Sequence, residues 1–276
     1  MRRPAPVRSL LAVPASSPKL LDSALRRPAS ALMVDLEDGV APEDKDAARA
    51  NASAFLAQAP SVTVTVRVND PESVTGRSDL RMLDAHAGAV AAVVLPKATA
   101  DRATSLLDRG SFSVIALIET PEGVEDALRI ARQAGVVGLM FGSVDYTAEL
   151  TAVGGWHASD LGWAKGRIVN AAAAGGVWAL AGPSTVLEDG PELSADIETD
   201  RSLGFAGKLC IHPAQLARVN DGFAPSDEQI GWARRVLEAA EGSVGGAIRV
   251  DGRMVDKPVV DRARLIVDSV SKEVQP

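Results

Sequence analysis

The feature that most constrains the fold is a regular alternation of short apolar runs with stretches of helical spacing. Strands that alternate with helices pair in parallel through right-handed crossovers. Eight such strand–helix units predict a closed (β/α)8 barrel, the TIM barrel of the α/β class. The eight runs rich in Val, Ile and Leu are 8–14, 31–38, 62–69, 92–97, 113–120, 136–143, 177–183 and 207–213.

An open, doubly wound sheet is the alternative arrangement for the same alternation. Such a sheet normally carries a glycine-rich phosphate loop after a strand, and neither G-x-G-x-x-G nor G-x-x-x-x-G-K-[ST] occurs here. The chain has 276 residues, which is enough for one barrel and a shorter extension. We therefore expect a barrel domain over 1–222 and a C-terminal helical extension over 223–276, which acts as a lid or an oligomer arm.

The extension carries its own helix signals. Ser226 and Gln229 form a capping box that predicts a helix over 227–241. A glycine-rich stretch at 242–246 indicates a flexible joint, and a last helix is expected near 259–270. We expect 227–270 to be largely helical.

Composition excludes several classes of protein. With 46% hydrophobic and 24% charged residues the chain is not intrinsically disordered, and its 1 cysteine excludes an internal disulfide and a thiolate metal cluster. That cysteine count suits a reducing cytoplasm, where we expect the protein. The net charge of −7 gives no attraction for nucleic-acid phosphates. Because no run approaches the ~18 apolar residues of a membrane span, we expect no membrane partner.

Most apolar runs become polar at their carboxyl ends, which is where TIM barrels hold their chemistry. The residues concerned are Asp35, Glu37, Asp38, Arg67, Asn69, Lys97, Glu119, Asp145 and His212. Strand alternation puts Thr63, Thr65 and Arg67 on one side of their strand. A barrel mouth and a solvated strand face with a surface salt bridge both fit that pattern.

Glu119 and Asp145 form the clearest candidate metal pair. Glu119 directly follows five apolar residues, so a buried carboxylate there needs a cation or hydrogen-bond donors. Two carboxylates from neighbouring strand ends fit Mg²⁺, which prefers oxygen ligands and keeps several waters. Zinc is disfavoured because the three histidines are scattered. The alternative is that Asp145 caps a helix over 146–150 while Glu119 pairs with a lysine.

Other reactive residue types have simpler interpretations. Lys97 could form a Schiff base as in class I aldolases, but a lysine there more often balances carboxylates. Cys210 is expected to be a buried small hydrophobe, and His212 a structural hydrogen bonder. A solvated helix face is predicted for Glu43, Asp44, Asp46 and Arg49.

Taken in order, several segments resemble the citrate lyase β-subunit-like family of the HpcH/HpaI aldolase/citrate lyase superfamily, which includes malyl-CoA and citramalyl-CoA lyases. Each segment alone is a weak motif, but the ordered set spans nearly the whole chain. The segments are Leu10–Pro14, Asp35–Pro42 with Lys45 and Arg49, Arg67–Asn69, Leu95–Lys97, Ile118–Thr120, Gly142–Asp145, Gly204–Gln215 and Gly252–Pro258.

The resemblance implies an oxo-acid-lyase with Mg²⁺ on Glu119 and Asp145. Arg67 and the metal would hold the oxo acid, and the cluster of Asp35, Glu37 and Asp38 would surround the metal. The expected reaction cleaves or forms a 3-hydroxyacyl-CoA such as citryl-, malyl- or citramalyl-CoA, giving an acyl-CoA and a 2-oxo acid. The expected assembly is a homotrimer or another homo-oligomer.

The resemblance also assigns less central residues. Related aldolases for free pyruvate carry a histidine where this chain has Asp38, which favours the thioester branch. Independently of the resemblance, a CoA that enters along the barrel mouth needs basic residues for its phosphates, such as Lys19 or Arg26. Asp256 lies in the matched tail and is expected to act in trans as the general acid or base for the thioester carbon, or else to cap a helix.

One departure and two alternatives bear on the substrate. The family typically shows an acidic residue after the seventh strand, where this chain has Leu180-Ala181-Gly182-Pro183-Ser184. A metal-dependent aldolase for free 2-oxo acids is one alternative function. A carrier-dependent β subunit of a larger lyase is the other.

Overall fold

Eight parallel strands follow one another around a closed barrel in the computed structural model, which describes residues 7–155, 159–241 and 248–271. The predicted TIM barrel is confirmed. Each strand lies inside its apolar run and is shorter than it, and in every strand except β1 the carboxyl end of the run belongs to the following loop or helix. The strands are β1 (Ser9–Pro14), β2 (Ala31–Asp35), β3 (Thr63–Arg67), β4 (Ala92–Leu95), β5 (Val114–Ile118), β6 (Val136–Phe141), β7 (Trp178–Ala181) and β8 (Gly207–Cys210).

Helices connect and surround these strands. They are α1 (Pro18–Ala24), α2 (Lys45–Ala57), α3 (Val74–Asp84), α4 (Ala100–Leu107), α5 (Pro121–Ala131), α6 (Ser143–Ala152), α7 (Gly162–Gly175), α8 (Pro191–Leu203) and α9 (Leu216–Phe223). The side chains of Ser73, Thr99 and Thr120 cap α3, α4 and α5 by accepting a backbone N–H of the first turn. Pro42 begins a short 3-10 turn, and α2 itself begins at Lys45.

Strand alternation sorts the side chains into a barrel interior and an outer layer under the helices. Met33, Ile115 and Leu117 are among the buried interior residues, and a fully buried side chain of this size contributes about 1.5–3 kcal/mol. Two residues beyond Met33 comes Asp35, and two beyond Leu117 comes Glu119. Because successive side chains alternate, both carboxylates face the mouth of the barrel.

The chain divides into two compact units, Met1–Phe223 and Ala224–Pro276. The second unit contains α10 (Asp227–Glu241), β9 (Ile248–Val250), β10 (Arg253–Val255) and α11 (Lys257–Ser271). The predicted capping box at the start of α10 forms, since Ser226 and Gln229 exchange backbone-to-side-chain hydrogen bonds. The predicted joint at 242–246 lies outside the described residues.

The antiparallel hairpin of β9 and β10 differs from the predicted, largely helical extension. Its turn is made by Asp251 and Gly252, which have φ angles of 51° and 77°. Two positive φ angles are what a two-residue hairpin turn of type I′ requires, and Asp-Gly favours it. The strands have only three residues each, too few to show an alternating pattern. In the described part of the chain, no helix has the length and apolar character needed to cross a membrane.

Candidate active site

Arg67 and Asp35 form a two-pronged ion pair at the mouth of the barrel. The Nε and Nη2 atoms of Arg67 donate to the two Asp35 carboxylate oxygens at 2.8 and 2.7 Å. Only 13% of the Arg67 side chain is exposed. Burial lowers the pKa of Arg67, but the hydrogen bonds and charge of Asp35 outweigh it and raise the pKa. The arginine is therefore a fixed cation at the barrel mouth rather than part of a solvated strand face.

Glu37 completes the surroundings of Arg67. Its Oε2 atom lies 3.1 Å from Nη1 of Arg67 and accepts the backbone N–H of Asp38 at the same distance. Burial raises the pKa of Glu37 to about 7, although the charge of Arg67 opposes the shift. Three of the five N–H donors of Arg67 are thus engaged, which leaves two for a ligand. The side chain of Asp38 itself is exposed.

Glu119 is a buried carboxylate next to other acids. It is 2% exposed, and burial raises its pKa to about 8, with further increases from Asp145 and Glu37. The backbone N–H of Lys97 donates to Oε1 of Glu119 at 2.8 Å and opposes the shift. Lys97 has a φ angle of 47°, a left-handed conformation that is costly for a residue with a Cβ. The strained backbone thus supplies a donor to Glu119.

A glycine makes room for Glu119. A Cβ placed on Gly142 would overlap the Cβ of Glu119 and lie 2.7 Å from its Oε2. Gly142 is also the residue before α6, and Asp145 lies in the first turn of that helix. The alternative that Asp145 caps a helix over 146–150 is wrong, because α6 already begins at Ser143.

The donor set at this end of the barrel fits a hard cation. Glu119 and Asp145 are close enough for the charge of Asp145 to raise the pKa of Glu119. Among the residues that the structure describes, no group of three or more His, Cys, Asp or Glu forms a complete protein ligand set. Two carboxylates with the remaining positions left to water or ligand suit Mg²⁺, whereas structural zinc takes four protein ligands.

The other sequence candidates lie in different settings. The Lys97 side chain is exposed, which does not provide the apolar pocket that a Schiff-base lysine needs. Lys19 is exposed in α1, which directly follows β1 at the same end of the barrel. Cys210 is buried, which raises the pKa of its thiol to about 12 and keeps it unreactive. Asp256 is exposed in the second unit, where its Oδ1 accepts the backbone N–H of Val259 at 3.4 Å.

His212 has the structural role that the sequence predicts. Its Nδ1 accepts the backbone N–H of Ala214 at 3.2 Å. Gln215, which the sequence interpretation did not single out, is 1% exposed. Its Nε2 donates to the carbonyl oxygens of Ser184 and Val186 at 2.9 and 2.8 Å. Gln215 therefore ties the end of β8 to the loop after β7.

The loop after β7 is the segment where the expected acidic residue is missing. A Cβ on Gly182 would overlap the carbonyl oxygen of Phe141 and lie 2.9 Å from Oγ of Ser143. The hydroxyl of Ser184 accepts the backbone N–H of Val186 at 3.3 Å. Gly182 is thus shaped by close packing against the end of β6 and the start of α6, and Ser184 by a hydrogen bond within the loop.

The prediction of a solvated helix face on α2 is wrong for Arg49. Its Nε donates to Oδ1 of buried Asp79 at 2.9 Å, while Nη1 donates to exposed Asp46 at 2.7 Å. Asp79 comes from α3, and nothing in the spacing of α2 indicates a partner on another helix.

The ion pair of Arg67 with Asp35 and the acidic pair of Glu119 and Asp145, both at the barrel mouth, lie within the segment that a known family covers. The model of the family described as HpcH/HpaI aldolase/citrate lyase matches residues 8–213, which include Asp35, Arg67, Glu119 and Asp145. The chain belongs to the HpcH/HpaI aldolase/citrate lyase family. The resemblance seen in the ordered sequence segments is confirmed.

Two sequence relatives and one solved structure show what this HpcH/HpaI family member is similar to. A citrate lyase subunit beta-like protein of Deinococcus radiodurans is 34% identical, covering 96% of this chain and 97% of the relative. A (3S)-malyl-CoA thioesterase of Cereibacter sphaeroides is 34% identical, covering 94% of this chain and 93% of the relative. One solved structure is CitE from Mycobacterium tuberculosis in complex with magnesium, acetoacetate and coenzyme A. It is 32% identical in sequence with a TM-score of 0.79, and the match covers 97% of this chain and 99% of CitE.

Proposed function

We propose that this chain is an Mg²⁺-dependent carbon–carbon lyase that acts on a 3-hydroxyacyl-CoA thioester. The substrate would be of the citryl-, malyl- or citramalyl-CoA kind, and the products an acyl-CoA and a 2-oxo acid. The observation that carries the proposal is the buried Glu119 carboxylate, close to Asp145 and to the Arg67–Glu37 pair, at the carboxyl end of the barrel. A cation site next to a fixed guanidinium suits a 2-oxo acid, which offers a carboxylate and a carbonyl oxygen.

Each residue has a separate task in this proposal. Glu119 and Asp145 would hold Mg²⁺, which when bound polarises the oxygen at the carbon where the bond breaks. The two N–H donors that Arg67 has left would bind the carboxylate of the oxo acid. Glu37, with a pKa of about 7, would accept the hydroxyl proton, because a base with a pKa near the operating pH is effective.

The cleavage step balances with these groups. The hydroxyl oxygen loses its proton to Glu37 and becomes the carbonyl oxygen of the 2-oxo acid. The electron pair of the broken carbon–carbon bond goes to the α-carbon of the thioester, which gives an enolate. An acid then protonates that carbon, and we propose Asp256 of a neighbouring subunit for this role within a homotrimer or other homo-oligomer. Asp38 and Lys19 would assist, Asp38 beside Glu37 and Lys19 as a partner of CoA phosphate.

The relatives support the CoA thioester class. The CitE structure from Mycobacterium tuberculosis was solved with magnesium, acetoacetate and coenzyme A. The Cereibacter sphaeroides relative favours a second candidate function, because it is described as a malyl-CoA thioesterase. A thioesterase would hydrolyse the thioester bond and leave the carbon skeleton intact.

One assay separates the lyase from the thioesterase. Purified protein with Mg²⁺ is incubated with citramalyl-, malyl- and citryl-CoA, and the products are separated by chromatography. Lyase activity releases acetyl-CoA and a 2-oxo acid, whereas hydrolysis releases free CoA and the intact hydroxy acid. Glu119→Gln is the matched inactive control. Absence of both product sets from all three thioesters, with wild-type protein that binds Mg²⁺, would overturn the proposal.

A further inference from the structure

The loop after β2 is held by two side chains, Lys45 at the start of α2 and Asn69 in the loop after β3. Nζ of Lys45, the first residue of α2, donates to the carbonyl oxygens of Leu36 and Glu37 at 2.9 and 2.7 Å. Nδ2 of Asn69 also donates to the Leu36 carbonyl oxygen at 2.7 Å. The backbone that carries Glu37 is therefore fixed by three hydrogen bonds from Lys45 and Asn69.

Asn69 is held in turn by a buried carboxylate on α3. Oδ2 of Asp79 accepts both the backbone N–H and the Nδ2 of Asn69, at 2.9 and 2.7 Å. Asp79 is only 1% exposed, and its Oδ1 accepts Nε of Arg49 at 2.9 Å. Helix α3 can approach this closely because Gly76 has no side chain, and a Cβ there would lie 2.6 Å from the carbonyl oxygen of Asn69.

Burial of the Asp79 carboxylate costs free energy, which indicates that the carboxylate has a role that an apolar side chain could not fill. A buried charge is unfavourable unless hydrogen bonds compensate it, and an apolar side chain would fill the same space at lower cost. The carboxylate of Asp79 accepts three hydrogen bonds, two of them from the residue that holds the Leu36 carbonyl. Asn69 lies two residues after Arg67, so the same contact also fixes the end of β3. Both partners of the Glu37–Arg67 contact at 3.1 Å are thereby anchored.

We infer that Asp79, through Asn69 and together with Lys45, is a positioning residue that sets the Glu37 carboxylate against Arg67. The inference rests on the proposed function only in taking Arg67 and Glu37 as the groups that receive the 2-oxo acid. The side chain of Asp79 accepts hydrogen bonds from Arg49 and Asn69, and these bonds involve neither Arg67 nor the carboxylates of the metal pair. Its loss should therefore weaken binding of the oxo acid and leave the affinity for Mg²⁺ unchanged.

The test compares Asp79→Asn with Asp46→Asn. Both substitutions remove a carboxylate partner of Arg49, but Asp46 is exposed and does not contact Asn69. Calorimetric titration of the Mg²⁺-loaded proteins with pyruvate should show affinity lowered about 10-fold to 100-fold in Asp79→Asn and unchanged in Asp46→Asn. Titration with Mg²⁺ alone should give equal affinities for all three proteins.

A second readout does not depend on the proposed function. The Nε–H resonance of Arg67, assigned by its disappearance in Arg67→Lys, should shift in Asp79→Asn and in Lys45→Met, and stay in place in Asp46→Asn. If Asp79→Asn fails to fold, Lys45→Met still tests the positioning, because it removes the two hydrogen bonds to the backbone that carries Glu37. If wild-type protein neither binds pyruvate nor cleaves thioesters, the proposed function fails while this resonance still decides the inference. An unmoved Arg67 resonance in every folded variant, or a lower melting temperature with unchanged pyruvate affinity, would overturn the inference.

Discussion

Arg67 and Asp35 are the last residues of two adjacent strands, and they lie opposite each other in the parallel register of β2 and β3. That register brings the guanidinium and the carboxylate together with two hydrogen bonds, at 2.8 and 2.7 Å. A buried charge that loses its partner is strongly destabilising. Removal of either partner should therefore destabilise the barrel as well as disturb the proposed site.

Asp35→Asn should lower the free energy of unfolding by about 3–5 kcal/mol, because the buried Arg67 then lacks its main counter-charge. Denaturant titration measures this change. Asp46→Asn, which removes a carboxylate that is 94% exposed, is the control and should change stability by less than about 0.5 kcal/mol. Equal effects from the two substitutions would contradict the role given to the buried pair.

Gly142→Ala should weaken Mg²⁺ binding by at least about 10-fold, because the new methyl group overlaps Glu119 and displaces its carboxylate. The measurement is calorimetric titration with Mg²⁺. Gly166→Ala is the control, since a Cβ at this glycine in α7 meets no atom within 4 Å. That control should bind Mg²⁺ normally and gain up to about 1 kcal/mol of stability from its helix propensity.

The metal affinity should depend on pH near neutrality. Burial raises the pKa of Glu119 to about 8, and Mg²⁺ binds only the ionised carboxylate. Below that pKa the affinity should fall by about tenfold for each pH unit, with release of a proton on binding. Titrations between pH 6 and 9 in buffers of different ionisation enthalpy measure both quantities. An affinity independent of pH would contradict the assignment of Glu119 as a ligand.

The same shift predicts the stability of the metal-free protein. A carboxyl group with a folded-state pKa above its ordinary value of 4.5 favours the folded state most at low pH. Stability relative to Glu119→Gln should therefore decline as the pH rises from about 4.5 to about 8, and Mg²⁺ should restore it. Melting temperatures of both proteins, with and without Mg²⁺, test the sign. If, without metal, the melting temperature of wild type rises relative to that of Glu119→Gln as the pH increases, the predicted sign is wrong.

Asp256→Asn should lower turnover by about 10²–10⁴-fold if Asp256 is the acid or base for the thioester carbon. Asparagine is as good a helix N-cap as aspartate, so the substitution leaves the contact with Val259 possible and removes only the charge. Mixing Asp256→Asn with Glu119→Gln under subunit exchange should restore activity if the tail acts in trans. Full activity of Asp256→Asn would exclude the role, and no recovery despite proven exchange would exclude action in trans.

Some of the fold and the site could be predicted from the sequence because the pattern is repeated. Eight apolar runs predict the barrel, and the polar residues at their carboxyl ends predict Arg67 and Glu119 as site residues. The β9–β10 hairpin was missed because its strands are too short to alternate, although Asp251-Gly252 is a hairpin signal. Arg49 was misinterpreted because helix spacing shows only one face, and its partner Asp79 lies on another helix. The left-handed backbone at Lys97 could not be predicted, because lysine is not a residue type that favours this conformation.

The close packing of Gly182 has a consequence for how this chain could change over generations. A side chain at position 182 would run into the backbone of Phe141 and the hydroxyl of Ser143. A single substitution that introduced an acid there would disturb the start of α6, where Asp145 lies. An acid at this position would therefore require compensating changes in β6 or α6 first. The residue that follows β7 can change only together with the packing of its neighbours.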